Sequence, residues 1–132
     1  IGKMYVPAQI LSKPSKLNDL EYSMVKIHSE AGYNILKSID FEGDVAEIVY
    51  QHHEKMDGSG YPRQLKGKQI LKAARILCVA DVVEAMMSHR PYRSALGLTA
   101  ALEEIERGAG TIYDTDSVNI CVKLFRDEGY EI

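Results

Sequence analysis

The stretch His52-His53-Glu54-Lys55-Met56-Asp57-Gly58-Ser59-Gly60-Tyr61-Pro62 joins a helical pattern to a glycine-rich turn. Upstream of it, Val45, Ile48, Val49 and His52 fall at i, i+3, i+4 and i+7, the spacing of one buried helix face. His53 follows about 100° further round, in line with Ala46 and Val49. Two neutral imidazoles directed into one interior suit a metal centre. A single inward histidine is more often a hydrogen-bonded core residue, and that plainer reading stays open for either ring alone. The pair running into a turn of this composition favours the metal.

Working outward, the same helical period recurs on both sides and no alternating strand pattern longer than a few residues is found. Pro7 to Leu11 suits one helical turn. Asn18 caps a helix with Glu21 as its reciprocal partner, and Leu20, Met24, Ile27 and Ala31 form the expected buried stripe with His28 beside it. Helical character continues through Ile35, Leu36 and Ile39, and a further helix from about Gly43 and Asp44 carries the histidine pair. Residues 55–69, with three glycines and one proline, read as a loop. Ala73 to Ser88 is a helix whose apolar face comprises Ala74, Leu77, Cys78, Val82 and Ala85, with Asp81 in its middle. Leu98 to Gly108 is another, and Asp114 starts the last, buried through Val118, Cys121, Val122 and Phe125. The fold class expected is all-α: one bundle of about six helices over residues 1–132, with no sheet.

Composition narrows the function. At 132 residues the chain is one domain long, and 45% hydrophobic with 27% charged residues is ordinary for a globular protein. A net charge of −3 argues against general DNA affinity. No apolar run reaches the roughly 20 residues needed to span a membrane. Cys78 and Cys121 read as core thiols in a reducing compartment, and the opening Ile1-Gly2-Lys3-Met4 resembles no secretory signal, so a cytoplasmic location is expected. That opening looks like the tail of an element begun upstream.

His28, His52, His53 and Asp81 come from three separate helices, each on or beside a buried face. Asp81 on an apolar face is costly unless paired, hydrogen-bonded or bound to a cation, so a salt bridge or a cap remains an alternative. Nitrogen and carboxylate donors without thiolates suit iron, manganese or zinc. The spacing His-x(23)-His-His-x(27)-Asp is too open for a zinc knuckle and fits a site inside a bundle. Adjacent helical histidines do not easily grip one ion; they serve two, or one supports the other. From Lys55 to Arg75, six cationic residues face only Asp57, formally +5, and Arg90 and Arg93 follow. Such a reversal suits a phosphate-bearing ligand or simply a solvated loop. Beside a metal it points to phosphoester hydrolysis.

These residues resemble the HD-GYP domains, a branch of the HD metal-dependent phosphohydrolases. The likeness runs from Ile1 to about Phe125. It rests on Ile-Gly-Lys at 1–3, Pro7 with Ile10-Leu11 and Lys13-Pro14, Met24 to His28, Gly32, the 52–62 stretch, Ala74 to Ile76, Val79 to Asp81 and Arg90 to Arg93. The resemblance implies a helical bundle with two or three iron or manganese ions, more than zinc, hydrolysing cyclic di-GMP to pGpG and GMP. It implies that His28, His52, His53 and Asp81 ligate metal and that Lys3 reaches the scissile phosphate. By the same likeness Arg90 and Arg93 contact the ligand, while Asp57, Gly58, Gly60 and Tyr61 shape the mouth. That loop also serves the family as a surface for diguanylate-cyclase-type partners, and a homodimer is compatible with it. The naming His-Asp pair is expected just before Ile1, so this reading takes 1–132 as a domain truncated at its N-terminus. Weak or partial metal occupancy is the expectation for the chain as written, and a non-catalytic module binding a cyclic dinucleotide or a cyclase is the alternative. Smaller departures are Ser29 where proline is usual, Gln64 where glycine is common, and Ile70-Leu71-Lys72 in place of Ile-Pro-Leu.

Overall fold

The computed structural model describes residues 1–88 and 95–130. A 3-10 turn at Gly2–Tyr5 leads into a single-turn helix, α1 (Ala8–Leu11). The long helix α2 (Asp19–Leu36) starts at a reciprocal cap: Asn18 Oδ1 accepts from the Glu21 N–H, and the Glu21 carboxylate accepts from the Asn18 N–H, both at 2.9 Å. Lys13 Nζ reaches the same carboxylate at 2.6 Å, tying the preceding loop to the helix start. α3 (Val45–Gln51), α4 (Lys72–Met87), α5 (Leu98–Arg107) and α6 (Thr115–Arg126) follow, with one further 3-10 turn at Gly67–Gln69 inside the expected loop. Among the described residues there are six helices and no strand, only an isolated bridge between Ala109 and Tyr113. No helix there is long and apolar enough to cross a membrane.

Three expectations about α2 and α3 change. The stripe Leu20, Met24, Ile27, Ala31 is not the face α2 buries: Leu20 is 72% and Ile27 53% exposed, while His28, Ser29 and Gly32 are buried. Small residues decide that face because the opening turn lies directly on it. A Cβ on Gly2 would stand 1.8 Å from the His28 carbonyl oxygen, so only glycine fits, and this contact brings Lys3 alongside His28. α2 also ends at Leu36 and does not reach Ile39. The third change concerns α3, which stops at Gln51; His52 is its C-cap and His53 lies in the turn beyond.

The opening turn and α3 flank α2, α3 packs on α4, and α4 carries α5 and α6 on another side. The apolar core lies in this second half: Cys78, Val79, Val83, Ala101, Leu102, Ile105, Tyr113 and Val118. On α4 the buried residues are Ala74, Cys78, Val79 and Val83, while Leu77, expected inside, is 38% exposed. α6 begins at Asp114, whose carboxylate accepts from the Ser117 N–H at 3.0 Å. It also meets Lys72 Nζ at 2.8 Å and an Arg75 guanidinium nitrogen at 3.0 Å, which locks the start of α4 to the start of α6. The histidines therefore sit away from the main core, where α2, the end of α3 and α4 meet.

Candidate metal centre

His28 projects from the middle of α2, and the chain delivers His52 and His53 to it from the end of α3. His28 Nε2 lies 3.4 Å from His52 Nε2 and 3.1 Å from His53 Nε2. One nitrogen from each ring falls within 4.8 Å of the other two. The release of the helix after Gln51 is what lets neighbouring residues point the same way, with ring centroids only 3.9 Å apart. All three histidines address one place.

Their tautomers are set locally. His28 Nδ1 lies 2.6 Å from the Val25 carbonyl and His52 Nδ1 2.5 Å from the Val49 carbonyl, so each Nδ1–H donates to backbone. Each Nε2 lone pair is thereby turned into the shared space. Two facing lone pairs repel, and a cation between them removes the conflict. Burial pushes His53 down to about 2, reinforced by its neighbours His52, His28, Lys55 and Lys3, which disfavour a proton on it. His28 is lowered as well, chiefly by burial. Both rings are neutral at pH 7, the form that binds metal.

Asp81, half-buried on α4, stands one step further out, with Oδ2 3.9 Å from His53 Nδ1. It lies outside the tight three-histidine group but borders the same cavity of about 1010 Å³, which Lys3, His28, His52, His53, Gly60 and Tyr61 also line. Asp57 and Gly58 do not line it. Asp57 instead accepts from the Ser59 N–H and hydroxyl at 2.9 and 2.7 Å, and Gly58 has φ +85°, so both shape the turn from outside. Arg90 and Arg93 lie outside the described residues.

Residues to which the sequence assigned no role hold the mouth in place. Glu54 is 2% exposed; its two oxygens accept from the Arg63 and Leu65 N–H groups at 2.7 and 2.9 Å. Gln51, also buried, accepts from the Leu71 N–H at 2.8 Å and so joins the end of α3 to the start of α4. Gly60 passes so close to the backbone that a Cβ there would lie 2.5 Å from both the His53 oxygen and the Lys55 nitrogen. Tyr61 is then brought over His53, ring centroids 4.8 Å apart. Burial pushes the Tyr61 hydroxyl's pKa up, which keeps it a neutral donor. A buried glutamate inside the histidine motif was the one available signal for this scaffold.

The family profile described as HD domain matches residues 1–117. The chain belongs to the HD-domain family. It is 40% identical over 131 residues to a cyclic di-GMP phosphodiesterase of Thermotoga maritima, covering 96% of this chain and 35% of that protein. It is 41% identical over 102 residues to 3'3'-cGAMP-specific phosphodiesterase 1 of Vibrio cholerae, covering 77% of this chain and 24% of the relative. This HD domain thus spans about a third or less of the length of the curated relatives it matches. In structure it is similar to Bd1817, an HDG"Y"P protein from Bdellovibrio bacteriovorus, with a TM-score of 0.68 at 17% identity, over 92% of this chain and 40% of that one. That likeness carries the fold. The relatives make it an HD domain of the HD-GYP type, for which divalent-metal binding is implied, and the three-histidine cluster is the donor set on offer.

Proposed function

We propose that this HD domain is the metal-dependent phosphodiesterase part of a protein that hydrolyses cyclic di-GMP to pGpG and GMP. The observation that carries the reading is the convergence of three imidazoles, nitrogens within 4.8 Å, on a cavity large enough for a dinucleotide. The names of relatives at about 40% identity support the substrate class. His28, His52 and His53 would hold an iron or manganese ion, with Asp81 orienting His53 or reaching the ion directly. A divalent cation held there supplies Lewis acidity, which acidifies water and polarises a phosphoryl oxygen. Lys3, placed beside His28 by the Gly2 contact, is the group assigned to the scissile phosphate. Tyr61 and the turn held by Glu54 close one side and orient the ligand. Arg90 and Arg93 are the further phosphate or guanine contacts this reading assigns, and the turn at residues 57–61 is its surface for a cyclase-type partner. Two free thiols are compatible with a reducing setting and so support the cytoplasmic location this reading assigns.

The test is hydrolysis of cyclic di-GMP by protein loaded with manganese or ferrous iron. Turnover is expected; none with either ion, in protein shown to contain it, overturns the assignment. One observation favours a second reading, binding without turnover: among the described residues the tight donor group contains no carboxylate. Two close cations without an anionic bridge repel. Cyclic di-GMP binding by the metal-loaded chain, with no product formed, selects that reading.

A further inference from the structure

Among the described residues, four lysine and arginine side chains are partly withdrawn from solvent: Lys13, Lys26, Lys55 and Arg75. Two of them have a carboxylate, Glu21 for Lys13 and Asp114 for Arg75. Lys26 and Lys55 have no ion-pair partner there, and both line the histidine cavity. Lys55 is held by the more specific arrangement. Its Nζ donates to Cys78 Sγ at 3.2 Å and lies 4.6 Å from the centroid of the Tyr113 ring. Cys78 is 5% exposed and Tyr113 6% exposed, so α4 and the segment just before α6 fix both partners in the core.

These partners orient an ammonium without neutralising it. Burial pushes the Cys78 thiol up, so it remains an uncharged S–H at pH 7. The ring face offers only its quadrupole. An ammonium drawn partly out of water and given no anion is costly, and the cost is recovered when a ligand brings the anion. Lys55 follows His53 by two residues, so the ligand it meets is the one at the histidines.

We propose that Lys55 is a substrate-binding residue that takes a phosphate oxygen of the cyclic dinucleotide, with Cys78 and Tyr113 as the residues that position it. This rests on the phosphodiesterase reading above. It adds a contact distinct from Lys3 and from the arginines that follow α4.

The experiment measures cyclic di-GMP affinity of the metal-loaded protein by calorimetry at two salt concentrations. Lys55→Met keeps the stem and removes the charge; about tenfold weaker binding with a shallower salt dependence is expected. Metal content and melting temperature should match wild type, and Lys55→Arg should recover most of the affinity. In wild type, cyclic di-GMP should also protect Lys55 from acetylation, read by mass spectrometry, while the exposed Lys68 reacts as before. Unchanged affinity and salt dependence in Lys55→Met, or acetylation of Lys55 indifferent to ligand, overturns the role of Lys55 alone. A wild-type protein with no affinity for cyclic di-GMP overturns the phosphodiesterase reading and Lys55 with it.

Discussion

At the scale of the residue, the histidines were recognisable by type and the glutamate beside them was not. His28, His52 and His53 share one place, so each should matter to metal retention. Replacing any one by Ala is expected to lower bound manganese or iron by at least about tenfold in affinity, measured by competition with a chelator and elemental analysis. Glu54 should behave differently. Glu54→Gln leaves an amide N–H₂ facing the Arg63 or Leu65 N–H, two donors with no acceptor. A loss on the order of 2 kcal/mol in urea denaturation is expected, with the catalytic side chains intact. Gln64 is a smaller case. It sits at φ +54°, in the left-handed region that glycine adopts at lower cost, which accounts for glycine being common at that position in the resembling family. Gln64→Gly should stabilise the loop by up to about 1 kcal/mol, seen as a rise in melting temperature.

At the scale of the element, helix ends carry most of the functional geometry. The capping box at Asn18 and Glu21 formed as its sequence implies, because the interaction spans three residues and needs nothing else. Asp114 is the other informative end. Burial alone would raise its carboxyl, but hydrogen bonds from Lys72, Ser117 and Arg75 outweigh that and hold it far below the usual carboxylate range. Its folded value is thus depressed, and the stability it contributes is whole above about pH 4. That contribution is lost as pH falls further, through the folded value. Asp114→Asn keeps a capping oxygen but should cost about 2 kcal/mol at pH 7, from the lost ion pairs with Lys72 and Arg75. The gap between mutant and wild type should close as denaturation is measured from pH 5 down to pH 2. A gap that stayed constant would show that packing, not charge, holds the α4–α6 junction.

At the scale of the whole molecule, the domain separates the parts that keep it folded from the parts that bind. The continuous apolar core belongs to α4, α5 and α6, whereas the histidines stand where α2 and the end of α3 meet α4. Ile105, fully buried on α5, is distant from the donors in this sense. Ile105→Ala should cost about 3 kcal/mol of stability in urea while leaving metal affinity within about twofold, measured below the unfolding transition.

What the chain determined by itself is what local physics can settle. Helical periodicity, the caps at Asn18 and Asp114, the glycine turn and the absence of an alternating pattern all act over a few residues, so six helices without a sheet were legible. So were the three histidines as candidates, because imidazoles on inward faces are conspicuous, and the family, because its motifs are contiguous. Tertiary structure decided the rest. Leu20 and Ile27 follow the period of a buried stripe, yet the face covered is the one on which Gly2 lies against His28. Helical period placed His52 and His53 about 100° apart, and only the ending of α3 at Gln51 turned both toward a ring 24 and 25 residues away. Lys55 counted as one more charge in a basic loop until Cys78 and Tyr113, from elements far along the chain, took hold of it. A residue's neighbours within four positions are set by the backbone's own geometry; its neighbours beyond that are set by which helices pack and how closely, and it is those that make the site.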